Sequence, residues 1–116
     1  MSTISTHVLD TSIGKPAAGI RVTLERLSGR DGAVEQAGSG VTDQDGRLRN
    51  LLAPDVRLDE GTYRLRFDVE AYFVRQGREA FFPEVIVVFR VGRGDDHHYH
   101  VPVLLSPFGY STYRGS

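Results

Sequence analysis

Apolar and polar positions along the chain repeat with a period of two rather than 3.6. Ile20-Arg21-Val22-Thr23-Leu24-Glu25 alternates strictly, as does Tyr63-Arg64-Leu65-Arg66-Phe67-Asp68-Val69. That pattern predicts strands with one wet face. Val85 to Phe89 is a continuous β-branched and aromatic run, which predicts a strand covered on both faces. Ser5 to Thr11, His98 to Leu105 and Gly109 to Gly115 are strand-like as well. Between these segments fall Gly14-Lys15-Pro16, Gly29-Arg30-Asp31-Gly32, Asp45-Gly46, Glu60-Gly61 and Gly92-Arg93-Gly94-Asp95, the residue types of tight turns. Only Val69 to Arg78 has the makings of a helix, of about two turns, before Pro83 restarts extended structure. Seven or eight short strands at this spacing predict an all-β fold, a two-sheet sandwich.

At 116 residues and 12.9 kDa the chain has room for one domain, residues 1–116, and no linker or repeat marks a second. Cysteine is absent, which excludes disulfides, thiolate metal sites and cysteine nucleophiles. Fourteen basic against fifteen acidic residues leave a formal charge of −1, which argues against a nucleic-acid or anionic-membrane partner. The first apolar stretch, Ile4 to Leu9, is broken by Ser5, Thr6 and His7, too polar for a signal peptide or a membrane span, so a cytoplasmic protein is expected.

The candidate chemistry lies in the histidines. Of four, three stand at 97, 98 and 100. Alternation through 97–105 puts Tyr99, Val101, Val103 and Leu105 on the core face and His98, His100, Pro102 and Leu104 on the other. In the first strand Val8 is the core residue, which turns His7 and Leu9 outward; Tyr113 shares a face with Ser111 and Gly115. Histidines on an outer face are most simply solvated. Here Leu9, Pro102 and Leu104 make the face half apolar, which suits an interface or a pocket lining. Two chemistries fit such a cluster: a neutral imidazole acting as general base near pH 7, or a zinc site built from His7 and the His98-x-His100 pair. No Glu at diagnostic spacing favours zinc. Arg47, taken alone, reads as a solvated hairpin residue after Asp-Gly. Arg93-Gly94-Asp95 reads as a turn, His97 as solvated, and the Phe81-Phe82 and Tyr72-Phe73 pairs as core and dimer-edge packing.

The ending Tyr-His-Val-Pro-Val-Leu-Leu-Ser-Pro-Phe-Gly-Tyr-Ser-Thr-Tyr-Arg-Gly-Ser, residues 99–116, resembles the C-terminal signature of the 5-hydroxyisourate hydrolases, the transthyretin-related enzymes of urate breakdown. Thr6-His7-Val8-Leu9-Asp10 with Gly14-Lys15-Pro16-Ala17, then Thr42-Asp43, Asp45-Gly46-Arg47 and Phe81-Phe82-Pro83-Glu84-Val85, extend the resemblance over the whole chain. Tyr113-Arg114-Gly115-Ser116 is its most specific part, because transthyretin lacks that ending and the histidines.

The resemblance implies a transthyretin-like sandwich with one short helix, a homotetramer (a dimer of dimers) around a central tunnel, and no cofactor. It implies ring opening of 5-hydroxyisourate to 2-oxo-4-hydroxy-4-carboxy-5-ureidoimidazoline. Catalytic roles fall to His7, Arg47, His100 and Ser116; substrate contacts fall to His7, Arg47, Tyr113, His98 and Arg114. Which histidine is the base, and whether His98 touches substrate or only orients His100, stays open at this level. A non-enzymatic carrier with an apolar channel is the alternative reading.

Overall fold

A computed structural model of the chain describes residues 2–28, 32–94 and 97–116. The elements in chain order are β1 (Thr3–Asp10), β2 (Lys15–Pro16), β3 (Arg21–Ser28), β4 (Ala33–Val41), β5 (Arg47–Leu48), β6 (Gly61–Phe67), α1 (Val69–Arg75), β7 (Val85–Val91), β8 (His98–Ser106) and β9 (Gly109–Thr112). They form two sheets. One runs β2-β1-β8-β9, with β5 also paired to β1; the other runs β4-β3-β6-β7. The inward residues of both sheets, among them Ile4, Val8, Val22, Leu24, Leu65, Phe67, Val103 and Leu105, are almost fully buried in one core. Truncating one of them to alanine is expected to cost about 2–5 kcal/mol.

The predicted alternation reappears in β3, β6 and β8, and α1 falls where expected. Asp68 caps the helix by accepting from the Ala71 N–H at 3.4 Å, and Tyr72 and Phe73 enter the core. One strand was not anticipated and three expectations are corrected. First, β4 carries no strand pattern in the sequence because glycine dilutes it, yet it pairs with β3 along its whole length. Its glycines admit a neighbour: a Cβ on Gly38 would lie 1.7 Å from the Leu51 carbonyl oxygen, and one on Gly40 would lie 2.7 Å from the Leu48 side chain. Second, β7 is covered on one face only, leaving Ile86 and Val88 40% and 59% exposed, because in a two-sheet sandwich no third layer among the described residues covers the outer face of its sheet. Third, β9 stops at Thr112; beyond it only an isolated bridge from Gly115 to His100 continues the pairing. Fourth, Phe81 is not core but 69% exposed, packed edge-on against Phe82, which in turn meets Tyr110. The turns expected at Gly29-Arg30-Asp31-Gly32 and Gly92-Arg93-Gly94-Asp95 fall partly outside the described residues.

Candidate active site

Two parallel strands build the centre. β1 and β8 pair so that Thr3 lies beside His98, Ser5 beside His100 and His7 beside Pro102. Period-two alternation then puts Thr3, Ser5 and His7 on the same outer face as His98 and His100. Two hydroxyls bind the histidines together. Thr3 Oγ1 is 2.5 Å from His98 Nδ1, and Ser5 Oγ sits 2.9 Å from His98 Nε2 and 2.8 Å from His100 Nδ1. The two rings stand nearly parallel, 6.5 Å apart. Thr3 and Ser5 were not legible as site residues: a serine on an outward strand position signals nothing until its neighbour strand is known.

Arg47 is delivered by the Asp43-Gln44-Asp45-Gly46-Arg47 turn. The Asp43 carboxylate accepts from the Asp45 and Arg47 N–H groups, each at 2.9 Å, and the Arg47 N–H leads the causes that hold this carboxyl below its usual range. Gly46 has φ of 75°, and its carbonyl accepts from the Val8 N–H at 2.8 Å. A Cβ there would meet the Val8 carbonyl at 2.3 Å, so only glycine lets the turn press onto β1. Arg47 thereby pairs directly opposite His7, whose Nε2–H donates to the Asp45 carbonyl at 2.9 Å. Arg47 is half-buried beside His7 rather than free on a hairpin tip.

The C-terminal segment closes the third side. The Gly115 N–H donates to the His100 carbonyl at 2.8 Å, and Ser116 follows into a cleft of about 320 Å³ lined by Ser5, Thr6, Arg47, Leu48, Arg49, His98, His100 and Ser116. That volume is at the small end of ligand pockets, roughly 300–1,000 Å³. The structure thus brings Arg47, His98, His100 and Ser116 together, with His7 flanking Arg47. Tyr113 and Arg114 are not in this cleft. They line a separate recess against β7, in which the Arg114 guanidinium lies 5.0 Å over the Tyr99 ring, and His100 is the predicted site residue that borders both spaces. His97 stays exposed on the Tyr99 side, as its position predicts.

Burial, and then the nearby charges of His98, His7 and Arg47, push the His100 pKa below the ordinary histidine value. No carboxylate side chain lines the cleft to reverse this. A histidine held below its ordinary pKa favours the neutral imidazole near pH 7 and is able to accept a proton, in a cleft whose charged side chains are the guanidinium groups of Arg47 and Arg49. The zinc alternative does not fit: among the described residues no three His, Cys, Asp or Glu side chains are grouped to hold a metal ion. Ser5 already engages a nitrogen of His98 and of His100, and the Asp45 carbonyl takes one from His7.

The chain is similar to several known proteins. A 5-hydroxyisourate hydrolase of Halalkalibacterium halodurans is 50% identical, covering 97% of each chain. The mouse 5-hydroxyisourate hydrolase is 44% identical over 99% of this chain and 96% of its own. Among solved structures, Klebsiella pneumoniae 5-hydroxyisourate hydrolase superposes with a TM-score of 0.84 at 40% identity, each chain fully covered. Sea bream transthyretin in complex with thyroxine superposes with a TM-score of 0.88 at 33% identity, over 97% of this chain and 94% of its own. Backbone likeness is thus shared by a hydrolase and a thyroxine-bound transthyretin, so function is decided by side chains. Residues 4–115 match the HIUase/Transthyretin family, and the chain belongs to it.

Proposed function

We propose that the chain hydrolyses 5-hydroxyisourate to 2-oxo-4-hydroxy-4-carboxy-5-ureidoimidazoline, without a cofactor and as one domain spanning residues 1–116. The observation that carries this reading is the placing of His100 in one cleft with Arg47 and Ser116. His100 takes a proton from water as the oxygen attacks a ring carbonyl of the substrate. The electron pair moves onto the carbonyl oxygen, returns as the ring C–N bond breaks, and the leaving nitrogen takes the proton back from the imidazolium. A carboxyl and a ureido nitrogen result, as in the named product. Arg47 offers planar forked donors to the acidic ring and the developing oxyanion. Ser116 supplies a further hydroxyl, and His7 fixes the substrate edge beside Arg47. His98 orients His100 and lies within reach of substrate. The carrier reading is disfavoured because a cleft lined by histidines and arginines suits a polar, acidic ligand rather than an apolar one.

We place Tyr113 and Arg114 in the site through assembly. In a homotetramer, a dimer of dimers, facing subunits bring these residues to each other's clefts. The exposed Ile86 and Val88 of β7 and the half-apolar strip of Leu9 and Leu104 beside the histidines support an assembled form. Among the described residues no helix is long and apolar enough to cross a membrane; we place the enzyme in the cytoplasm. The test is an ultraviolet assay with freshly made 5-hydroxyisourate: decay many-fold above the spontaneous rate is expected, and decay at the spontaneous rate refutes the hydrolase reading.

A further inference from the structure

A hydroxyl carries one proton, and Ser5 faces two ring nitrogens. It donates to one and must accept from the other, so the tautomers of His98 and His100 are coupled through it. The contact of Thr3 with His98 Nδ1 extends the coupling to the strand end. Two directions satisfy every bond. In one, His100 carries its proton on Nδ1, donates to Ser5, Ser5 donates to His98 Nε2, and His98 Nδ1–H donates to Thr3. In the other every donor is reversed and His100 carries its proton on Nε2.

The geometry points to the first direction: we propose that Ser5, backed by His98 and Thr3, is the positioning residue that holds His100 with its proton on Nδ1 and its Nε2 lone pair open to the cleft. This rests on the hydrolase reading for its kinetic consequence, though not for the tautomer itself. Two observations select the direction. Arg47 and Arg49 line the same cleft, and their field favours a lone pair rather than an N–H dipole facing them. The first direction also serves both charge states of His100, since an imidazolium must donate from Nδ1 as well. The base takes a proton without any hydroxyl turning over, which is the preorganisation a proton-transfer site needs. In the reversed direction Ser5 would donate toward a nitrogen that must itself become a donor.

The partner also differs from the usual carboxylate. A carboxylate behind His100 would stabilise the imidazolium and raise its pKa. A histidine acting through a neutral hydroxyl fixes the tautomer while adding no negative charge. The groups facing His100 are Ser5 and His7 from β1, His98 on its own strand, Arg47 on β5, Arg49 just beyond β5, Ser116 in the cleft, and Tyr113 and Arg114 across the second recess; none of their side chains is a carboxylate.

The test begins on the wild-type protein. With histidine ring nitrogens labelled with ¹⁵N, long-range proton–nitrogen NMR at pH 8 should show His100 as the Nδ1–H tautomer. A dominant Nε2–H tautomer overturns the proposal, whether or not the protein turns over 5-hydroxyisourate. In S5A the tautomer preference should collapse, kcat should fall by roughly 10–100-fold, the range for losing a residue that orients a functional histidine, and KM should stay within about twofold. The acid limb of kcat/KM should move to lower pH, because the imidazolium loses the acceptor of its Nδ1–H. S5T, which keeps a hydroxyl, should restore tautomer and limb. A loss in S5A carried by KM, with tautomer and limb unchanged, would mean that Ser5 only shapes the cleft, and the proposal would fall. If S5A does not fold, the wild-type spectrum and S5T decide alone.

Discussion

Gly115 lies against the ring edge of His100, so closely that a Cβ on it would come 2.5 Å from His100 Cδ2. The ring cannot retreat, since Ser5 holds its Nδ1 at 2.8 Å, and the Gly115 N–H is committed to the His100 carbonyl at 2.8 Å. A methyl group must therefore displace the segment that places Ser116. G115A should lower kcat/KM by about a hundredfold, as angstrom-scale misplacement of reacting groups does. Its thermal midpoint should hold, because nothing of the core is touched. Wild-type turnover in G115A would show that Ser116 does not need this placement.

Arg47 gives a prediction in which charge and shape separate. R47K keeps a positive charge opposite His7 but loses the forked donors, so its rate should fall while the acid limb stays put. R47Q removes the charge, which is one of the groups holding the His100 pKa down, so the limb should also move to higher pH. The sign follows from the role: a base that works as neutral imidazole is lost as pH falls through its pKa. In the wild type that loss should lie below about pH 6.5, the ordinary histidine value. Rate–pH profiles of the three proteins, corrected for spontaneous decay, check this; coincident limbs in R47Q and wild type would remove Arg47 from the surroundings of His100.

Much of this site could be read from one strand. Alternation in β8 is local, so it correctly turned His98 and His100 outward and Tyr99 inward. What joins them to Ser5, His7 and Arg47 is non-local. The parallel register of β1 on β8 links residues 95 apart in sequence, and β5 is two residues long, too short to carry any periodicity. The two-layer packing, likewise invisible in sequence, decides why the apolar run of β7 keeps an exposed face. β4 was illegible for a different reason: Gly38 and Gly40, which blur its pattern, are there to let the 48–53 segment approach.

Away from the cleft, Asp10 fastens β1 to the segment after α1. Its side chain is fully buried and accepts from Arg78 at 2.5 Å, from the Tyr72 hydroxyl at 2.9 Å and from the Ser12 hydroxyl. Burial alone would raise its pKa, but the hydrogen bonds from Ser12, Arg78 and Tyr72 outweigh it and hold the carboxyl below its usual value. R78A should cost about 3 kcal/mol, the lower end for breaking a buried pair, since two donors remain. The depressed pKa makes the ionised carboxylate stabilising above the unfolded value of about 3.9, and this contribution is lost as pH falls through the folded one. Urea unfolding at fixed protein concentration should therefore show wild type well above D10N at pH 7, with the gap narrowing below pH 4. A gap independent of pH would mean that the ionised carboxylate adds nothing.

The outer face that carries the histidines also carries Leu9 and Leu104, both half-buried in the single chain and paired side by side across β1 and β8. A sandwich of this size fills its interior with its own side chains, so a purine-sized ligand needs walls from elsewhere. The same face of a second copy, related by a two-fold axis, is the simplest cover. It would shut water from the cleft and bring in Tyr113, which the single chain leaves 57% exposed beside a different recess. L104E places a charge on the apolar strip without touching any proposed catalytic group. It should split the assembly and abolish activity together. Light scattering run alongside the ultraviolet assay reads both quantities on one sample. A dissociated L104E protein that keeps full specific activity would show that Arg47, His100 and Ser116 suffice within one subunit, and that the facing copy contributes no part of the site.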